Sequence, residues 1–358
     1  MAMTRRIFEI TAPGTGRVVR EALALPARGE VLITGEWGAV SPGSEGLVFR
    51  GELPEGVGLD DTIEALNGTG ATWPIRYGYT LAGRVSHCGS DVDPDWLGRR
   101  VFAFHPHATH CVLPVDALIP VADEVPLEHA PLYANTETAL TLGWDGDVAF
   151  GDAVLVLGAG IVGVLTALVV ARSGAGVVVV YDPDETRRTQ AAAVFEGTAT
   201  ITVVATLEEA DRYLREYPGR YRGRYEGFDV VYELSGRPET LDDAIRRTAF
   251  AGRVVVGSWY GRKVAPVSLG ERFHRGRIRI VSSQVSTIPP ERGARVDYRR
   301  RTALVWRLMR EIPWNAMPRR IVSLEELPDT MRAIAAGERL PPWIAIDYQR
   351  DSEQGVSE

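Results

Sequence analysis

The spacing of apolar and polar residues changes near residue 131. Upstream, short apolar runs predict strands at 30–34 (EVLIT), 80–85 (TLAGRV), 100–104 (RVFAF) and 110–113 (HCVL). Between them stand turn formers such as Ser41-Pro42-Gly43 and the stretch 51–58. Brief strands broken by turns predict a compact β-rich domain. Downstream, 131–142 has helical periodicity, and from Ala153 short apolar strands alternate with longer amphipathic helices. The strands are expected at 153–157, 177–181, 229–233, 253–257 and 277–281. This alternation implies crossover units and a parallel sheet covered on both faces, a doubly wound α/β domain. The stretch 216–229, rich in Tyr, Arg and Gly, reads as an exposed loop. A helix over 296–309 and an apolar patch at 343–346 follow, then a polar tail at 351–358 expected to be disordered.

At 358 residues the chain exceeds one ordinary core, so two domains are expected. A formal charge of −7 favours solubility and argues against nucleic acid as the main partner. Two cysteines, Cys88 and Cys111, make no disulfide framework and suit a reducing compartment. The N-terminus lacks the apolar run of a signal peptide, and the longest apolar stretch, 160–170, is too short to span a bilayer. A cytoplasmic protein with no membrane partner is the expectation.

The strongest chemical signal is Gly158-Ala-Gly160-Ile161-Val162-Gly163. It follows the strand expected at 153–157, opens a helix, and leads to a second strand ending in an acid. Gly158 permits the tight turn, Gly160 lets backbone approach a pyrophosphate, and Gly163 allows close helix–strand packing. The helix start offers unpaired amides and a positive dipole end to phosphates. Asp182 lies 182 − 163 = 19 residues past the last glycine, where a carboxylate accepts adenosine-ribose hydroxyls and repels a 2′-phosphate. NAD is therefore favoured over NADP, with Arg187 and Arg188 close enough to soften the preference.

From 30 to about 348 the chain resembles the medium-chain dehydrogenase/reductase superfamily, the group of zinc alcohol dehydrogenases and quinone reductases. The resemblance implies a Rossmann domain inserted into a GroES-like β-rich domain: 1–133 catalytic, 134–284 nucleotide-binding, 285–350 a return to the catalytic domain. It also implies nicotinamide contacts at Ser235-Gly236, Gly257-Ser258 and Ser282-Ser283, and a homodimer joined along the strand at 277–281. The departures are as informative. Ser41 stands where the family has a zinc-ligating Cys, Tyr79 where it has His, and Thr80 where it has Glu. No Cys, His or acid stands at 133–135 for the third ligand, and the four-cysteine lobe of a structural zinc is missing between Phe104 and Val112. The chain is most similar to a zinc-free bacterial branch that includes bacteriochlorophyllide dehydrogenase-like proteins. That branch shares the patterns at 41–45 (SPGSE), 77–79 (YGY) and 134–139 (ANTETA).

Hydride transfer at a carbonyl still needs a group to hold the oxygen and manage a proton. Tyr79 is the first candidate, the alternative being an aromatic that fills the vacated pocket; Ser41 and Thr80 could add hydrogen bonds or simply form turns. His105, His107, His110 and Cys111 lie within seven positions. Strand alternation would put His105 and His107 on one side and His110 on the other, which is awkward for one metal cage. His105 or His107 could instead contact substrate or act as a base. The resemblance brings Glu45 and Glu137 to the substrate side, where either could pair with an arginine or bind substrate. Arginines crowd 272–310, either a rim for an anionic substrate, such as a carboxylate or peptide terminus, or a solvated helix face. The expected activity is zinc-independent, NAD-dependent hydride transfer between a secondary alcohol/ketone pair and nicotinamide, with Asp182 and the NAD preference pointing to the oxidative direction. Its rivals are oxidation of a β-hydroxy acid or threonine-like hydroxyl, enone or quinone reduction, and NAD binding without catalysis.

Overall fold

A computed structural model describes residues 3–54, 56, 58, 59, 63, 66 and 72–350. The chain divides into two compact units, one of Met1–Ala134 with Arg319–Glu358, the other of Asn135–Pro318. The expected tail at 351–358, and much of the 51–73 stretch, lie outside the described residues.

The first unit opens with an antiparallel hairpin, β1 (Met3–Ala12) and β2 (Thr15–Leu23). This pair was not expected from the sequence, because β1 buries four consecutive residues, Ile7 to Ile10, and shows no alternation. Then come β3 (Glu30–Val40), a helix α1 (Ser44–Phe49), β4 (Leu81–Cys88), β5 (Arg100–Ala103), β6 (His110–Pro114) and the short β7 (Ile119–Pro120). The expected strands are all present, with β3 extended well beyond 34.

In the second unit, α2 (Tyr133–Gly146) precedes a repeated strand–helix alternation. Its members are β8 (Ala153–Leu157), α3 (Ile161–Arg172), β9 (Val177–Tyr181), α4 (Glu185–Val194), β10 (Ile201–Val204) and α5 (Leu207–Glu216). Then follow β11 (Phe228–Glu233), α6 (Thr240–Arg247), β12 (Thr248–Val256) and β13 (Arg279–Ser282). The six strands are parallel in the order β10-β9-β8-β11-β12-β13. This is the doubly wound arrangement, whose strand order reverses between β8 and β11. β8 is wholly buried, as a central strand with helices on both faces must be.

The chain does not leave this unit at 285 as the resemblance suggested, but at Arg319. Helix Tyr298–Glu311 holds it there. Arg301 on that helix pairs with Glu137 of α2 at 2.9 Å and donates to the Val285 carbonyl at 2.6 Å, while Arg172 of α3 bonds Glu311.

β14 (Arg319–Ser323) and β15 (Trp343–Asp347) then complete a seven-stranded sheet in the first unit, ordered β14-β15-β3-β4-β5-β7 with β6 against β3. Its core includes Val31, Ile33, Leu81, Val101, Ile344 and Ile346. Among the described residues no helix is long and apolar enough to cross a membrane.

Candidate functional site

The three glycines of the fingerprint meet three separate demands. Gly158 sits at φ +111°, a conformation that L side chains rarely adopt, and its N–H donates to the Tyr181 carbonyl at 2.8 Å. Gly163 lies on the first turn of α3, where a Cβ would run into the Gly158 carbonyl. Gly160 is different. It caps α3 with extended backbone (φ −71°, ψ 177°), provides no side-chain cap, and a Cβ there would meet nothing within 4 Å. The helix start at Ile161, Val162 and Gly163 is therefore left to something other than this chain's side chains, which suits an anion.

Asp182 closes one side of this turn. It is buried; Oδ2 accepts from the Ala159 N–H and Oδ1 from the Asp184 N–H, both at 2.9 Å. Each oxygen retains a lone pair for a further donor. Arg187 approaches Oδ2 at 3.8 Å, whereas Arg188 bonds the Asp182 and Pro183 carbonyls. The other expected cofactor residues stand at the C-terminal ends of the next strands. The Gly236 N–H donates to Ser258 Oγ at 2.9 Å, the Gly257 N–H to the Glu233 carbonyl at 3.1 Å, and the Ser283 N–H to the Val256 carbonyl at 2.9 Å; Ser282 ends β13.

Sequence reasoning passed over Glu233, the last residue of β11. It is fully buried, and its carboxylate receives Ser235 N–H (2.9 Å), Ser235 Oγ, Thr240 Oγ1 (2.8 Å) and Tyr260 Oη (2.5 Å). The available signal was an acid after the apolar run Val230-Val231-Tyr232, immediately before Leu-Ser-Gly.

In the β-rich unit, several sequence candidates converge. The Tyr79 hydroxyl lies 2.9 Å from Ser44 Oγ, and the half-buried ring meets Tyr77 edge-on. Glu45 accepts from the Ser41 N–H at 2.7 Å and from His107 Nε2 at 2.9 Å; His107 Nδ1 is 3.0 Å from the Tyr348 hydroxyl, which reaches the Thr80 carbonyl at 3.3 Å. His107 and Glu45 are buried, so neither stands ready to touch a substrate. They anchor the 41–45 turn that carries Ser44, and through it Tyr79. Thr80 is likewise withdrawn, its hydroxyl both accepting from the Ala39 N–H and donating to the Ala39 carbonyl at 2.8 Å. Glu137 is neither a surface group nor free for substrate, because Arg301 pairs with it in the other unit.

The expected strand alternation across the histidines fails because β5 ends at Ala103 and Pro106 interrupts the ladder before β6 begins at His110. His105 bonds the Pro106 carbonyl at 2.7 Å, His107 turns to Glu45, and His110 meets Thr109 Oγ1 at 3.1 Å. Burial pushes His105 down to about 4. Its folded pKa lies below its unfolded value near 6.5, so its contribution to stability holds at neutral pH and is lost as pH falls from 6.5 towards 4. That amounts to about 3 kcal/mol at most. In denaturant titrations at pH 7 and 4.5, His105→Gln should show a smaller acid loss than the parent; equal losses would contradict this.

A catalytic zinc does not fit the residues at the family's ligand positions. Ser41, Tyr79 and Thr80 offer only hydroxyls, poor ligands at neutral pH, and Thr80 Oγ1 is spent on backbone. Among the described residues no three His, Cys, Asp or Glu side chains gather to hold a metal. Cys88 and Cys111 are both free, and burial pushes the Cys111 thiol up to about 12. Of the arginines of 272–310, Arg301 is buried against Glu137, Arg292 bonds Asp147 and Arg307 faces Glu311, while Arg300, Arg307 and Arg310 line one shared pocket.

Residues 162–297 match the zinc-binding dehydrogenase family. The chain is 24% identical over 238 residues to D-guloside 3-dehydrogenase of Escherichia coli K12, covering 66% of each. It is 36% identical over 106 residues to L-threonine 3-dehydrogenase of Streptomyces coelicolor, covering 30% of this chain and 29% of that one. It thus spans under two thirds of either relative's length. The crystal structure of an alcohol dehydrogenase from Escherichia coli CFT073, complexed with NADH, aligns with a TM-score of 0.73 over 96% of this chain and 99% of that one, at 14% identity. Over residues 162–297 the chain is thus similar to zinc-binding dehydrogenases, and over 96% of its length it shares the fold of a solved alcohol dehydrogenase.

Proposed function

We propose that the protein is an NAD-dependent oxidoreductase that moves a hydride between a secondary alcohol or ketone and nicotinamide, without a zinc ion. The observation that carries this reading is the Gly158–Gly163 turn, open at Gly160, with the Asp182 carboxylate beside it. The dehydrogenase names of the relatives and the NADH in the E. coli structure support it. Bound there, the dinucleotide would supply the hydride acceptor. The chain's own part is to hold the pyrophosphate on the amides of Gly160–Val162, to hold the adenosine ribose through Asp182, and to position the substrate oxygen. Tyr79 is the group assigned to that oxygen, with Ser44 Oγ fixing the direction of its hydroxyl. A phenol can both accept and donate, so it can take the alcohol proton or return one to a ketone.

A second substrate class, the β-hydroxy acids, is favoured by the 36% identity to a threonine dehydrogenase over 106 residues. The zinc-free part of the proposal rests on the hydroxyls at 41, 79 and 80. Metal analysis of purified protein, paired with NADH absorbance during alcohol oxidation, tests it. Well under one zinc per chain, with turnover unaffected by a chelator, is the expected result. A stoichiometric ion whose removal stops turnover would overturn it.

A further inference from the structure

Glu233 is a fully buried carboxylate surrounded by neutral donors. Among the described residues no arginine, lysine or histidine pairs with it. Buried charges ordinarily have a partner of opposite sign, because desolvation is costly. Its place in the sheet suggests where that partner comes from. β11 adjoins β8 at the point where strand order reverses, and dinucleotides lie across the C-terminal ends of the strands at such a point. Asp182, at the end of β9, takes one half to that side. The other half then passes over the ends of β11 and β12, where Glu233 and Gly257 stand. The turn is in close touch with this region, since a Cβ on Gly158 would lie 2.8 Å from the Leu234 carbonyl oxygen.

We propose that Glu233 is a positioning and charge-selecting residue whose buried negative charge favours the cationic, oxidised nicotinamide ring over the neutral, reduced one. This rests on the dinucleotide reading above. Its hydrogen bonds also fasten Ser235, Thr240 and Tyr260, so the carboxylate is held still beneath the crevice. The Tyr260 phenol is pushed up by burial and then by its bond to Glu233, as expected beside an anion. A protein built this way holds NAD+ and lets NADH go, which suits the oxidative direction.

The test compares dissociation constants for NADH, read by fluorescence, and for NAD+, read by competition. Glu233→Gln should weaken NAD+ about fivefold to tenfold and change NADH by no more than about twofold. Tyr260→Phe, which removes a hydrogen bond and keeps the charge, should leave the ratio unchanged. In the unaltered protein, NAD+ should bind about fivefold more tightly than a dinucleotide carrying uncharged benzamide in place of nicotinamide, a measurement that needs no variant. Equal weakening of both nucleotides by Glu233→Gln, or equal binding of NAD+ and the benzamide compound, would reduce Glu233 to a loop staple. If the unaltered protein binds neither nucleotide, the dinucleotide reading itself fails, and this inference with it.

Discussion

Gly160→Val should abolish dinucleotide binding while leaving the protein folded. The position takes extended backbone that any residue adopts, and a side chain there would project into open space. The expected cost to stability is about 1 kcal/mol, since valine caps a helix less well than glycine. The ligand fares differently. Its phosphates must approach the amides of Ile161 and Val162 more closely than a branched side chain permits, so affinity for NADH should fall about a hundredfold or more. Gly163→Ala is the informative contrast, because its Cβ would strike the Gly158 carbonyl and strain the fold itself. Fluorescence titration of NADH together with thermal melting separates the two effects. Normal NADH binding by Gly160→Val would remove the pyrophosphate from this turn.

Tyr79→Phe carries the second large effect. It deletes one oxygen, the partner of Ser44 Oγ at 2.9 Å, and keeps the ring against Tyr77. Loss of a positioned proton donor or acceptor typically lowers turnover by about a hundredfold to a thousandfold. Dissociation constants for NAD+ and NADH should stay where they were, because the Tyr79 hydroxyl is assigned to the substrate oxygen and not to the dinucleotide. A variant that turns over at the parental rate would show that Tyr79 only packs the space between its neighbours.

The nucleotide unit was legible because its signals are local. Strands at 153–157 and 177–181 coincide with β8, five buried aliphatic residues, and β9, four valines and Tyr181 with the middle three residues buried. Gly158 and Gly163 meet backbone demands that no other residue meets, whereas Gly160 is required only by the room a phosphate would need. Glu233 was not legible, since burial of its carboxylate depends on Tyr260 and Thr240, which the fold brings in from other segments. The histidines illustrate the same limit. Alternation was a fair assumption for a strand, but Pro106 breaks the ladder, and His107 finds Glu45, 62 positions away in sequence. The late return of the chain at Arg319 also hangs on a distant pair, Arg301 with Glu137. Contacts of that kind leave no periodic trace.

A crystal structure of the protein grown with NAD tests the account most directly. The pyrophosphate should lie on the amides of Gly160, Ile161 and Val162, the adenosine ribose on the Asp182 carboxylate, and the nicotinamide ring over the ends of β11 and β12. A crevice left empty at saturating NAD, or the dinucleotide lodged elsewhere on the molecule, would contradict it.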